Sequence, residues 1–126
     1  MKYDPLVKPD SLEWLALDEF ERIYVIEEHH RQKGIELPNA KLHAIMHIVV
    51  ENQLAEADPP ITSHTLDRLI SEGLNRHDTV HAIGGILAAQ LFDIAQGGQP
   101  GGFDQNRFEA VLSALNAQTR AQETED

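Results

Sequence analysis

The chain of 126 residues contains no cysteine. Disulfides and thiolate metal sites are therefore excluded, and any bound metal must be held by His, Asp, Glu, water or backbone oxygen. Long apolar runs are missing too. None approaches the roughly 20 residues needed to cross a bilayer, so no membrane partner is expected. The start, Met1-Lys2-Tyr3-Asp4-Pro5, lacks the apolar centre of a signal peptide, and the expected location is cytoplasmic. Positive charge is scarce: 10 basic residues face 21 acidic ones, for a formal net charge of -11. Such a chain repels phosphate backbones unless its basic residues cluster. Here they are scattered, so nucleic acid is not expected as a partner. Some of the negative charge sits in Glu123-Thr124-Glu125-Asp126, which reads as the end of a frayed acidic tail over 117–126.

Strand-like alternation is also missing, whereas helical periodicity recurs along the chain. Hydrophobic residues make up 41% and charged residues 25% of the sequence, a composition suited to one soluble domain with a real core. Residues 1–10, with two prolines, read as an extended lead-in. Ser11 opens a first helix expected to run to about Gln32, with Trp14, Leu15, Leu17, Phe20, Ile23, Tyr24 and Ile26 at helical spacing and Gly34 as its left-handed stop. Asn39 caps a second helix to about Glu56, ended by Asp58-Pro59-Pro60. Thr62 or Ser63 caps a short third helix that points Leu66, Leu69 and Ile70 inward and stops at Gly73; His64, in its first turn, is expected to be exposed. Asn75 caps a fourth helix whose core stripe is Val80, Ile83, Leu87, Leu91 and Ile94, with Asp78 at the third position of a capping-box variant. A glycine-rich loop over 97–102 leads to a fifth helix, capped by Asp104, with Phe108, Val111, Leu112 and Leu115 inward. The expectation is a single all-α domain of five helices in a bundle. The third and fourth helices, joined at Gly73, have helix-turn-helix spacing, but only Arg76 offers positive charge near the start of the second member.

Four of the seven histidines form two copies of one pattern, His43-Ala-Ile-Met-His47 and His77-Asp-Thr-Val-His81. Residues four apart share one face of a helix, so each pair presents two imidazoles to one point. Each pair also lies on the edge of its helix's apolar stripe, on the same side in both helices. Packed antiparallel through those edges, the second and fourth helices bring His43, His47, His77 and His81 together. Neutral imidazole suits Zn, Ni or Fe. Glu51 continues the first row by one turn, as an oxygen ligand or as a partner that orients a histidine. Gly84 and Ala88 continue the second row and permit close approach, at a cost of roughly 1 kcal/mol for each glycine in the Gly84-Gly85 pair.

Other readings of these residues compete. The four histidines equally suit a metal-free polar cluster at a helix or oligomer interface, in a non-enzymatic interaction module. His77-Asp78-Thr79-Val80-His81 has the spacing of the zinc-hydrolase His-Glu-x-x-His motif, but with the shorter Asp, placed where capping competes. Glu27 and His30 have the Glu-x-x-His spacing of di-iron bundles, in a single copy; alternatively, His29 and His30 are solvated residues near the negative end of the first helix.

The blocks Leu42-His43-Ala44-Ile45-Met46-His47-Ile48-Val49-Val50-Glu51-Asn52-Gln53-Leu54, Asp58-Pro59-Pro60 and Glu72-Gly73-Leu74-Asn75-Arg76-His77-Asp78-Thr79-Val80-His81-Ala82-Ile83-Gly84 resemble an uncharacterised bacterial family of small helical proteins, a conserved domain of unknown function. The resemblance covers the central third to half of the chain. It implies a bacterial cytoplasmic protein in which the four histidines recur, and it implies no activity.

Overall fold

The structure, a computed structural model, describes residues 1–97 and 103–117. The acidic tail from 118 and most of the glycine-rich loop lie outside them. Among the described residues there are six helices and no strand: α1 Ser11–Ala16, α2 Glu19–Gln32, α3 Ala40–Glu56, α4 Pro60–Ser71, α5 Arg76–Ala95 and α6 Gln105–Ala114. The all-α bundle is as expected, with one helix more than expected.

The extra helix arises because the stretch from Ser11 to Gln32 breaks at Leu17-Asp18. Asp18 accepts from the Glu21 backbone N–H while the Glu21 side chain accepts from the Asp18 N–H, a complete capping box that starts a new helix. The turn rotates α2 relative to α1, so Phe20 (83% exposed) and Tyr24 (60%) face water despite their helical spacing. The cap of α1 is Asp10 rather than Ser11. The start of α4 also moves. Pro60 occupies its first position, where a missing N–H costs nothing, and Thr62 is buried and donates to Gln53 Oε1 at 2.7 Å instead of capping. Asn39, Asn75 and Asp104 cap their helices as expected, Gly34 and Gly73 adopt positive φ, and His64 is exposed.

α3 packs most extensively against α5 and next against α2. Its hydrogen-bond and ring contacts show that α3 and α5 run antiparallel. Glu51, late in α3, meets Arg76 at the start of α5, whereas the earlier His43 meets His81 with ring centroids 4.7 Å apart. One apolar cluster joins Tyr3, Trp14, Val25, Ile26, Ala44 and Ile48. Another joins Val50, Val80, Ile83, Leu87, Phe108 and Leu112. Arg68 ties α6 to α4 by donating to the Leu112 and Leu115 carbonyls at the C-terminal end of α6. Leu91, Ile70 and Val111, expected inward, are substantially exposed, and so is Leu42 near the start of α3. The seam of α3, α5 and α2 is polar, and histidine fills it.

Candidate metal centre

The i, i+4 spacing within α3 and within α5 places each histidine pair on one helix face, and the antiparallel packing turns those faces together. His47 is fully buried; His43, His77 and His81 are partly buried. His47 Nε2 lies 3.2 Å from His43 Nε2 and 3.0 Å from His81 Nε2, and His81 Nε2 lies 3.0 Å from His77 Nε2. The four histidines thus meet within one chain, as their spacing predicts.

Two more histidines join them. His30 is buried, with its ring 4.9 Å from that of His43 and 5.7 Å from that of His47. His29 sits 6.0 Å from the Tyr3 ring and 6.5 Å from the His77 ring. The expectation of two solvated residues at a helix end is overturned for His30, because α3 packs over that end of α2. Nitrogen atoms of His30, His43 and His47 lie within 4.8 Å of one another, as do those of His47, His77 and His81. His47 belongs to both sets, and neither includes Glu27 or Asp78. Asp78 is at the third position of α5, where its N–H donates to Asn75 Oδ1.

Hydrogen bonds behind the rings fix two tautomers. The Tyr3 hydroxyl donates to Glu51 Oε2 at 2.6 Å and so has no proton left for His47 Nδ1, 3.0 Å away. His47 Nδ1–H must donate to Tyr3 Oη, which leaves its Nε2 as a lone pair directed at the other rings. His30 Nδ1–H donates to the Ile26 carbonyl at 2.9 Å, so its Nε2 likewise carries the lone pair. Glu51 is held behind this row. Arg76 grips both its oxygens at 2.7 and 2.8 Å and also donates to the Pro5 carbonyl. Glu51 therefore reaches the histidines through Tyr3, with both its oxygens already engaged by Tyr3 and Arg76. Tyr3, drawn from the lead-in, was absent from the sequence reading. A lone buried aromatic anchor in a proline-flanked segment carries no periodic signal.

The electrostatics favour neutral rings. Burial lowers the pKa of His47 strongly, and the neighbouring His81, His43, His77 and His30 push it the same way. Burial lowers His43 to about 4, helped by His30 and His77. His29 is lowered mainly by burial. The Tyr3 hydroxyl is raised well above its ordinary value, chiefly by burial and by the Glu51 charge, and so stays a donor. Burial alone would lower Arg76, but its hydrogen bonds and charge pairing with Glu51 prevail and raise it. Neutral imidazole is the form that ligates a metal.

Compared with known proteins, the chain matches no family model, no curated protein and no solved structure. The functional reading therefore rests on the site. Among the described residues, no helix is long and apolar enough to cross a membrane.

Proposed function

We propose that this chain binds one transition-metal ion, with Zn, Ni and Fe as candidates, on the imidazoles of His43, His47, His77 and His81. The observation that carries this reading is the row of three nitrogen contacts at 3.0–3.2 Å, with His47 Nε2 contributing a lone pair. A neutral imidazole nitrogen offers either one proton or one lone pair. If His81 Nε2–H donates to His47, it has no lone pair for a His77 proton. If it accepts from His77, its contact with His47 sets lone pair against lone pair. Well-directed hydrogen bonds thus do not fill the whole row. A shared cation does, since it takes convergent lone pairs. Each of the three contacts is close to a ligand–ligand edge, because metal–nitrogen bonds of roughly 2.0–2.1 Å give edges of about 3.3 Å in a tetrahedron. The converging nitrogens fall in two sets of three that share His47, so closing all four around one ion needs a small shift of the outer rings.

His30 is a further donor at the edge of the set. Glu51 acts behind His47, with Tyr3 between them, and fixes its tautomer. One ion is favoured over two. Burial keeps His43 and His47 neutral, and Glu51, the carboxylate behind His47, is already paired with Arg76, so little offsets a second double charge. Four imidazoles closing the sphere make a structural site; three with a water make a Lewis acid.

A second reading is a metal-free polar cluster in an interaction module. It is favoured by the Arg76–Glu51–Tyr3–His47 chain, which pairs the Glu51 carboxylate, the Tyr3 hydroxyl and His47 Nδ1 without an ion. Elemental analysis of protein purified without an affinity tag separates the two. The metal reading expects one ion per chain, or uptake of one after chelation and reloading. No metal in either preparation favours the polar cluster.

A further inference from the structure

Around α3 and α5 from the histidine rows lies an open groove of about 580 Å³, lined only by apolar side chains and glycine. Leu42, Ile45 and Val49 contribute from α3; Gly84, Gly85 and Ala88 contribute from α5. Its rim carries large apolar side chains in water: Phe92 is 64% exposed, Leu42 52% and Leu91 50%. No charged residue occurs from Leu42 to Val50 or from Thr79 to Phe92, in a chain whose net charge is -11. A helix apolar on nearly all sides is normally covered on all of them.

The stretches outside the described residues are Gly-Gln-Pro-Gly-Gly over 98–102 and Gln-Thr-Arg-Ala-Gln-Glu-Thr-Glu-Asp over 118–126, which contain no large apolar side chain. A small ligand in the groove would leave the protruding Phe92 and Leu91 in water. The shape suits another protein surface, and one surface in particular. Gly85 faces open space: its own helix backbone and chain neighbours aside, a Cβ added there would meet no atom of the described residues within 4 Å. Packing among the described residues therefore does not explain this glycine, although it weakens the helix. Phe92 follows Gly85 by seven residues, two turns along the same face, or roughly 10 Å. Knob and hollow thus lie on one helix, symmetrically about Ala88 and Ala89.

We propose that the groove face of α3 and α5 is a two-fold interface with a second copy of this chain. An axis near Ala88 and Ala89 sets the two α5 helices antiparallel and seats each Phe92 over the other's Gly85. Small residues at the crossing let the backbones approach, and Leu42, Ile45 and Leu91 surround the contact. Such an interface is isologous and closes on itself. It stands apart from the metal reading, because no histidine lines the groove.

Analytical ultracentrifugation across a dilution series tests this with the wild type, Phe92→Lys and Gly85→Leu. Phe92 is a surface residue of the monomer and Gly85 has open space, so both variants are expected to keep the wild-type helical circular dichroism; if one does not, the other decides. The expected result is a wild-type dimer, weakened at least about 30-fold by Phe92→Lys, as for loss of an aromatic anchor at an interface centre, and similarly by Gly85→Leu. A wild-type chain that stays monomeric throughout overturns the proposal. So does a dimer that a folded variant leaves unchanged, or a monomer whose groove instead takes up a small apolar dye.

Discussion

The α3–α5 pair has two faces, and both reverse the usual arrangement of polar outside and apolar inside. The inner face buries His47, Glu51 and Arg76; the outer face exposes Leu42, Leu91 and Phe92. The difference lies in completeness. On the inner face, Tyr3, Glu51 and Arg76 supply partners for the polar groups behind the rings. On the outer face no atom of the described chain covers the hollow beside Gly85. Buried polar groups cost free energy only when left unpaired, whereas exposed apolar surface loses it by staying in water. Behind the rings the inner face is thus held by groups of its own chain, whereas the outer face leaves apolar surface in water.

The comparison breaks most sharply at Glu51. Glu51→Ala leaves the Arg76 guanidinium buried without its carboxylate, and loss of one member of a buried ion pair costs about 3–5 kcal/mol. Urea unfolding should register that loss, whereas Phe92→Ser on the outer face should change monomer stability by no more than about 0.5 kcal/mol. Equal effects at the two positions would erase the distinction.

Acid should separate the faces next. Folded His43 and His47 stay neutral at pH values where the unfolded chain, with histidine near 6.5, takes up protons. The unfolded state then binds more protons, so stability is full above 6.5 and falls as pH drops toward about 4, where His43 begins to protonate in the fold. A fully buried histidine such as His47 costs about 2 kcal/mol at pH 5 on this linkage, and the more open His43 adds less. Metal-free protein should accordingly unfold at lower urea at pH 5 than at pH 7. A His47→Leu variant should lose part of that dependence.

Tyr3→Phe removes the acceptor for His47 Nδ1–H and a donor to Glu51. Stability should fall by about 1–3 kcal/mol, and metal affinity by 10–100-fold or thereabouts, the usual cost of losing a ligand's orienting partner. An unchanged affinity in a folded variant would mean that the tautomer of His47 is fixed some other way.

How much of this was legible follows from distance along the chain. The two His-x-x-x-His rows could be read because their geometry is local to one helix, and their shared edge correctly implied that α3 and α5 meet there. Tyr3 and His30 could not be read. Tyr3 reaches His47 across 44 positions, and His30 turns inward only because α3 covers the end of α2. The break at Asp18 was legible in Asp18-x-x-Glu21, a helix-start signature overshadowed by the continuous apolar spacing around it. Leu42 and Leu91 have core periodicity, but periodicity tells which face is apolar, not what lies opposite.

The smallest expected effect is on the outer face. Gly85→Ala has room for its methyl group and favours the helix, so the monomer should gain up to about 1 kcal/mol. A loss of stability in dilute solution would show that the groove is tighter than its open volume implies.

The central claim, that the inner face is completed by one metal ion, is tested most directly by competition against a chromophoric chelator. Metal-free wild type, His47→Ala and His64→Ala would each be titrated with Zn at neutral pH. His64 is exposed and lies outside the cluster, whereas His47 belongs to both converging sets. One ion per chain withdrawn by the wild type and by His64→Ala, with little or none by His47→Ala, is the predicted result. Equal withdrawal by all three, or none by the wild type for Zn, Ni and Fe alike, would contradict it.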